Sequence, residues 1–159
     1  MMKKNCLFSI GILLLFASCM SGGPKLPSFD LLLIDSTTVL NTKDIPGGKP
    51  IILVYYSPDC EHCQQETEDI LKKMDSLKRV QFYFITTDPF DRMKVFKQYY
   101  KLDKYNNITL GRDYKSFFPR YYKVLAPPFS NVYNRHKRLV GTFAGQATAG
   151  DFIRLLDKI

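Results

Sequence analysis

The sequence predicts an α/β fold in which a central mixed β-sheet is flanked by helices on both faces. Three observations predict it. Residues 51–56 are a continuous apolar run rich in branched and aromatic side chains, as expected of a buried central strand, and residues 80–86 are a second central-strand candidate. Each run is followed by apolar positions at helical spacing: Ile70, Leu71, Met74 and Leu77 after the first, then Phe90, Met93, Phe96, Tyr99 and Tyr100 after the second. A late hairpin and a closing helix complete the order, which makes the sheet mixed and its crossovers right-handed.

The elements follow in chain order. Residues 29–35 and 38–40 read as short strands, and Ile45-Pro46-Gly47-Gly48-Lys49-Pro50 is a turn-rich approach to the first central strand. That strand feeds its helix across Ser57-Pro58-Asp59. After the second helix comes a short strand at 107–110, then a helical stretch at 114–122 interrupted by Pro119. Pro127-Pro128 precedes two strands, 129–134 and 139–143, joined by the polar turn Arg135-His136-Lys137. The last helix, 148–158, places Phe152, Leu155 and Leu156 on one face. The helical aromatics are core side chains and not a cofactor box.

With 159 residues, 45% of them apolar, the chain has the material for one ordinary core, and a disordered polar chain is excluded. The formal charge of +8 raises the question of an acidic partner. No aromatic tract of an RNA-binding module and no zinc-finger spacing is present, so nucleic acid is not the expected partner.

Lys3 and Lys4 precede an apolar run at 7–17, and Ala17-Ser18 lead into Cys19, the order of an export signal. The run is well short of the ~20 residues of a membrane-spanning helix. Phe16-Ala17-Ser18-Cys19 resembles a bacterial lipobox, with Phe16 in place of the usual Leu. The resemblance implies a signal peptide over 1–18 and lipid on Cys19; the Ser-, Gly- and Pro-rich residues that follow, with little apolar content, read as a flexible tether over 19–26 ahead of a folded domain over 27–159. The chain is then exported and anchored through Cys19 to a bacterial membrane, facing the periplasm. Outside the reducing cytosol, the remaining thiols are read first as redox chemistry.

That chemistry is expected at Cys60-Glu61-His62-Cys63. Two cysteines three apart on the first turn of a helix point to one side, near enough for a disulfide after a small adjustment. The free amides and positive end of the helix stabilise a thiolate at Cys60. Cys60 is then the attacking thiol and Cys63 the resolving one, with Glu61 and His62 between them as modulators. Haem attachment needs His directly after the second cysteine, where Gln64 stands. A zinc site would have to gather Cys60, Cys63, His62 and the distant His136, and a copper carrier would use the two thiolates alone. A purely structural disulfide would close almost no loop and so stabilise little. The reading carries no metal and no cofactor beyond the cysteine pair.

At this point the chain resembles the thioredoxin-like superfamily, and within it the membrane-associated TlpA-like and ResA-like (redoxin) thiol-disulfide oxidoreductases. Pro27-Ser28-Phe29-Asp30-Leu31 is similar to their opening P-x-F-x-L, and Gly48-Lys49-Pro50 to the G-K-x before a central strand. Cys60 to Glu66 matches C-x-x-C-x-x-E, and Val124 to Pro128 the approach to their cis-proline. The resemblance implies a thioredoxin-like fold. It implies a cis peptide at Pro128 beside the cysteines, a substrate strand pairing with the backbone at Pro127, and Glu66 as an acid that tunes or relays the proton of the pair. It also implies protein thiols or disulfides as partners, with a membrane redox partner that resets the pair.

The sequence departs from the pattern in places. Asp59 stands where many relatives have Trp, Val54 where thioredoxin proper has a buried Asp, and Thr67-Glu68 where relatives often have an apolar residue and Pro. His62 bears on direction. A cationic imidazole beside the pair favours the thiolate form and makes the couple more oxidising. The same position is His in protein disulfide isomerase and in DsbA, whereas most ResA-like reductants lack it. Two other functions compete: a non-catalytic module that binds a metal or partner through the cysteines, and a peroxiredoxin. The peroxiredoxin pattern P-x-x-x-T-x-x-C would need Pro where Leu53 stands, although Ser57 sits three before Cys60.

Overall fold

The computed structural model describes residues 22–159, so the stretch read as an export signal and Cys19, read as the lipidation site, lie outside the described residues. Seven strands form one sheet: β1 (Asp30–Leu33), β2 (Val39–Asn41), β3 (Ile51–Tyr55), β4 (Gln81–Thr86), β5 (Ile108–Arg112), β6 (Phe129–Tyr133) and β7 (Leu139–Ala144). Their spatial order is β2-β1-β5-β4-β3-β6-β7. The three central strands β5, β4 and β3 are parallel, and antiparallel pairs extend the sheet on both sides, so it is mixed as the sequence predicts.

Alternation between two covered faces explains why β3 is apolar throughout. Ile52 and Val54 of β3 point to one face, and Ile51 and Leu53 to the other. The first face is covered by α1 (Glu61–Lys72), α2 (Met74–Leu77), α3 (Phe90–Tyr99) and α5 (Ala149–Leu156), through Ile70, Met74, Leu77, Met93, Phe96 and Phe152. The second is covered by α4 (Phe117–Tyr121), whose Phe118 packs with Phe29, Leu31, Ile45 and Tyr133. Helices therefore lie on both faces. Among the described residues no helix is long and apolar enough to cross a membrane.

Local chemistry sets several boundaries. The helix after Cys60 breaks at Lys73, whose φ of −110° and ψ of 16° divide α1 from α2. The stretch read as a helix at 114–122 begins only at Phe117, after Ser116 in the left-handed region. Pro119 does not interrupt it, because it occupies the first turn, where its missing N–H has no helical partner to lose. A capping box between Thr148 and Asp151 starts α5. The end of the stretch read as tether is held by backbone pairing: Gly23 N–H donates to Leu139 O at 3.1 Å, Leu26 N–H to Lys137 O at 2.9 Å, and Leu139 N–H to Pro24 O at 2.9 Å.

Asp113 fixes α4. It is buried, and its carboxylate accepts from the amides of Phe117 at 3.0 Å and Phe118 at 2.7 Å. Phe118 in turn stacks on Tyr55 and meets Phe129 edge-on. Asp113→Ala removes both bonds and is expected to lower stability by about 2 kcal/mol. Urea unfolding checks this as a lower midpoint at unchanged slope.

Candidate active site

The two cysteines sit where β3 hands over to α1. The chain leaves β3 at Tyr55 and turns through Ser57-Pro58-Asp59, with Cys60 N–H donating to Ser57 O at 3.1 Å. Cys60 is the N-cap of α1, in extended conformation, and its sulfur accepts from the amide of Cys63 at 3.3 Å. A thiol thus occupies the place usually taken by Ser or Asp, where the unpaired amides of the first turn favour negative charge. Both cysteines are free, yet their surroundings differ: Cys60 is half-buried and Cys63 is 2% exposed. Burial above all pushes the Cys63 thiol well above its ordinary range, with the bond to Cys60 and the charges of Cys60 and Glu66 adding to it, against an opposing backbone contact at Ser57.

Sheet register brings the proline loop to these sulfurs. Tyr55 of β3 pairs with Phe129 of antiparallel β6, so the residues just before β6 lie beside those just after β3. The Pro127–Pro128 peptide is cis, and the Cys60 thiol faces the Pro127 carbonyl at 3.7 Å. Pro128 is buried, whereas Leu125 and Ala126 ahead of it are exposed.

Glu66 lies one turn after Cys63 on the same side of α1 and is 1% exposed. One carboxylate oxygen accepts from the Ser130 hydroxyl at 2.9 Å and the other from the Ala147 amide at 2.9 Å. Burial raises its pKa to about 7, the two hydrogen bonds opposing that rise and the Asp151 charge adding to it. Ser130 and Ala147 carry no sequence signal for this role. Ser130 is opposite Val54 on β6, so the register that places the prolines also places the hydroxyl.

The other expected modulators are on the surface. Glu61 is exposed and accepts from Gln65, four residues on. His62 is exposed, its Nδ1 2.9 Å from Gln146 Oε1 in the segment between β7 and α5. His136 stands in the β6–β7 turn, at the opposite end of the sheet from the cysteines. Among the described residues no group of three or more His, Cys, Asp or Glu side chains is gathered for a metal. Two features went unread in the sequence. Asp59 pairs with Arg92 of α3, and beside them a groove of about 470 Å³ runs between α1 and α3. Tyr56 is buried behind Cys63 in the same core cluster, and among the described residues its hydroxyl has no hydrogen-bond partner.

The sequence profile of the AhpC/TSA family matches residues 23–144. No curated protein matches the chain in sequence. Among solved structures, DsbF of MTB superposes with a TM-score of 0.69 at 19% identity, covering 82% of this chain and 93% of its own. A putative thiol:disulfide interchange protein DsbE from Chlorobium tepidum gives 0.66 at 21% identity, over 86% and 96% of the two chains. The peroxidoxin BcpB from Mycobacterium tuberculosis gives 0.70 at 16%, over 87% and 97%. These likenesses show a thioredoxin-like fold.

Glu66 makes a pH prediction. In the folded chain it holds its proton to about pH 7, while the unfolded chain releases it near the ordinary glutamate value of 4.5. The unfolded state therefore binds fewer protons in that window, and stability falls as pH rises through it. Glu66→Gln cannot ionise, so its stability relative to wild type is expected to rise by about 3 kcal/mol between pH 4.5 and 7.5. Urea midpoints of both proteins across this range check it, and a difference that does not change with pH refutes it.

Proposed function

The chain belongs to the AhpC/TSA family, and from that premise we propose that it is a thiol-disulfide oxidoreductase exchanging disulfides with proteins outside the cytosol. The observation that carries the reading is the division between the cysteines: Cys60 half-buried at a helix N-cap beside the Pro127 carbonyl, Cys63 buried behind it.

In the reducing direction, the Cys60 thiolate attacks one sulfur of a substrate disulfide. That S–S bond breaks, a mixed disulfide forms on Cys60, and the released substrate thiolate takes a proton. The Pro127 carbonyl accepts a backbone N–H of the substrate and holds its sulfur in line. Cys63 then loses its proton, for which Glu66 is the nearby acceptor, and attacks Cys60. The Cys60–Cys63 disulfide forms and the second substrate thiolate leaves and is protonated. The enzyme has lost two electrons and the substrate has gained them. The reverse sequence oxidises a substrate. No cofactor enters, and a membrane redox partner returns the pair to its starting state.

The exported and anchored state belongs to the same proposal: a signal peptide over 1–18, lipid on Cys19, and the domain facing the periplasm. The family match also favours a second reading, a peroxidase that reduces peroxide at Cys60. Leu53 in place of Pro weighs against it, since Leu53 is paired on both sides in the middle of the sheet and no loop is present there to shape a peroxide pocket.

Cys63→Ser is expected to accumulate mixed disulfides on Cys60, and Cys60→Ser to accumulate none, by non-reducing electrophoresis and mass spectrometry. Turnover of hydrogen peroxide by the wild type, without such trapping, would establish the peroxidase instead. The reduction potential reports direction: near ~−270 mV or below for a reductant, toward ~−180 to −120 mV for a disulfide donor. Cys19→Ser is expected to release the chain from the membrane fraction.

A further inference from the structure

The sheet end opposite the cysteines is basic. Lys49 precedes β3, Arg79 precedes β4, and Arg135 and His136 lie in the β6–β7 turn. All four line one cavity of about 710 Å³ that no Asp or Glu lines. A neighbouring cavity of about 310 Å³ shares Lys49 and adds Lys78, again without an acid. The four Lys and Arg side chains are exposed, and among the described residues none is in an ion pair. The nearest acids along the chain, Asp44, Asp75 and Asp157, do not line either cavity.

The N-terminal segment departs from this same end. Gly22 packs against Arg138, and residues 23–26 run along Lys137 and Leu139, in and just after the turn that supplies Arg135. Cys19 is three residues before Gly22, so the chain allows about 10 Å between them. That is about one Debye length at physiological salt, within which cationic side chains feel an anionic surface. Lipid on Cys19 in the proposed mature chain would tether this end to a bilayer, which favours a membrane over a nucleic acid as occupant.

We propose that this basic end is a docking surface for the anionic phospholipid headgroups of the membrane that carries the chain. The proposal rests on the anchored state described above. Lys49, Lys78, Arg79 and Arg135 face the phosphates, and β3 spans about 17 Å from that end toward the cysteines. The domain stands upright, with Cys60 turned away from the bilayer and open to soluble proteins.

The test uses the full chain reconstituted in vesicles of phosphatidylcholine, with or without one third phosphatidylglycerol, followed by backbone hydrogen exchange. Residues 47–49 and 134–138 are expected to exchange about tenfold more slowly with phosphatidylglycerol present, an effect lost at high salt. The triple variant Lys49→Gln/Arg79→Gln/Arg135→Gln is expected to lose it too, while alkylation of Cys60 by a charged maleimide keeps its rate on every surface. Equal protection on both lipids, or none on either, overturns the proposal, as does protection that survives in the variant. So does equal protection by inorganic phosphate or single-stranded DNA without vesicles, or slowed alkylation of Cys60 on the anionic surface. Lipid on Cys19 is read separately by mass, and mixed-disulfide trapping by Cys63→Ser separately again, so failure of docking, of anchoring and of the redox reading are distinguishable.

Discussion

The pairing of β3 with β6 is the constraint on which the site depends. The CxxC turn follows one strand and the cis-proline loop precedes the other, and because the strands are antiparallel the two loops meet at one end of the sheet. With Tyr55 opposite Phe129 and Val54 opposite Ser130, the Pro127 carbonyl reaches Cys60 and the Ser130 hydroxyl reaches Glu66. A slip of one residue would reverse every side chain of β6, sending Ser130 to the face occupied by Phe118 and taking the hydroxyl from the carboxylate. The chemistry and the core therefore share one register.

Within that frame, two identical side chains three residues apart are made different by depth alone. The first meets open amides and the loop that would hold a substrate. The second lies among Ile70, Tyr56 and Phe96 in the core, where a charge is costly. Glu66, buried one turn further along, shares that environment but has two donors, so it can carry either protonation state near neutral pH. A buried carboxyl from the helix thus stands near the cysteines in a chain that has Val54 at the strand position where thioredoxin has Asp.

Much of this was legible in the sequence, for physical reasons. A strand buried on both faces must be largely apolar, so β3 and β4 were visible, and the helical stripes after them fixed the alternation. The cysteine pair stood out because its spacing is local, and Glu66 because the resemblance to C-x-x-C-x-x-E marks it. What was not legible depends on contacts between distant residues. Ser130, Ala147 and Tyr56 have ordinary surroundings in the chain, and only the register and the helix packing bring them to the cysteines. Pro119 misled because it breaks a helix interior but not a first turn, and the start of α4 was set by Asp113, four residues upstream. Residues 22–26 were read as loose because they are polar and rich in Gly and Pro, yet their contacts run through the backbone, to which composition is blind.

Those five residues also bear on how the molecule keeps apart from copies of itself. A sheet margin with a row of unpaired amides and carbonyls is a template on which another chain can add a strand. Here Gly23, Pro24 and Leu26 occupy the start of the β7 margin, and Pro24 has no N–H to offer a newcomer. The opposite margin, β2, is three residues long and ends at once in a 3₁₀ turn capped by the Asn41 side chain. Among the described residues the first margin is covered at its start and the second is short, which narrows the room for strand-by-strand aggregation between copies.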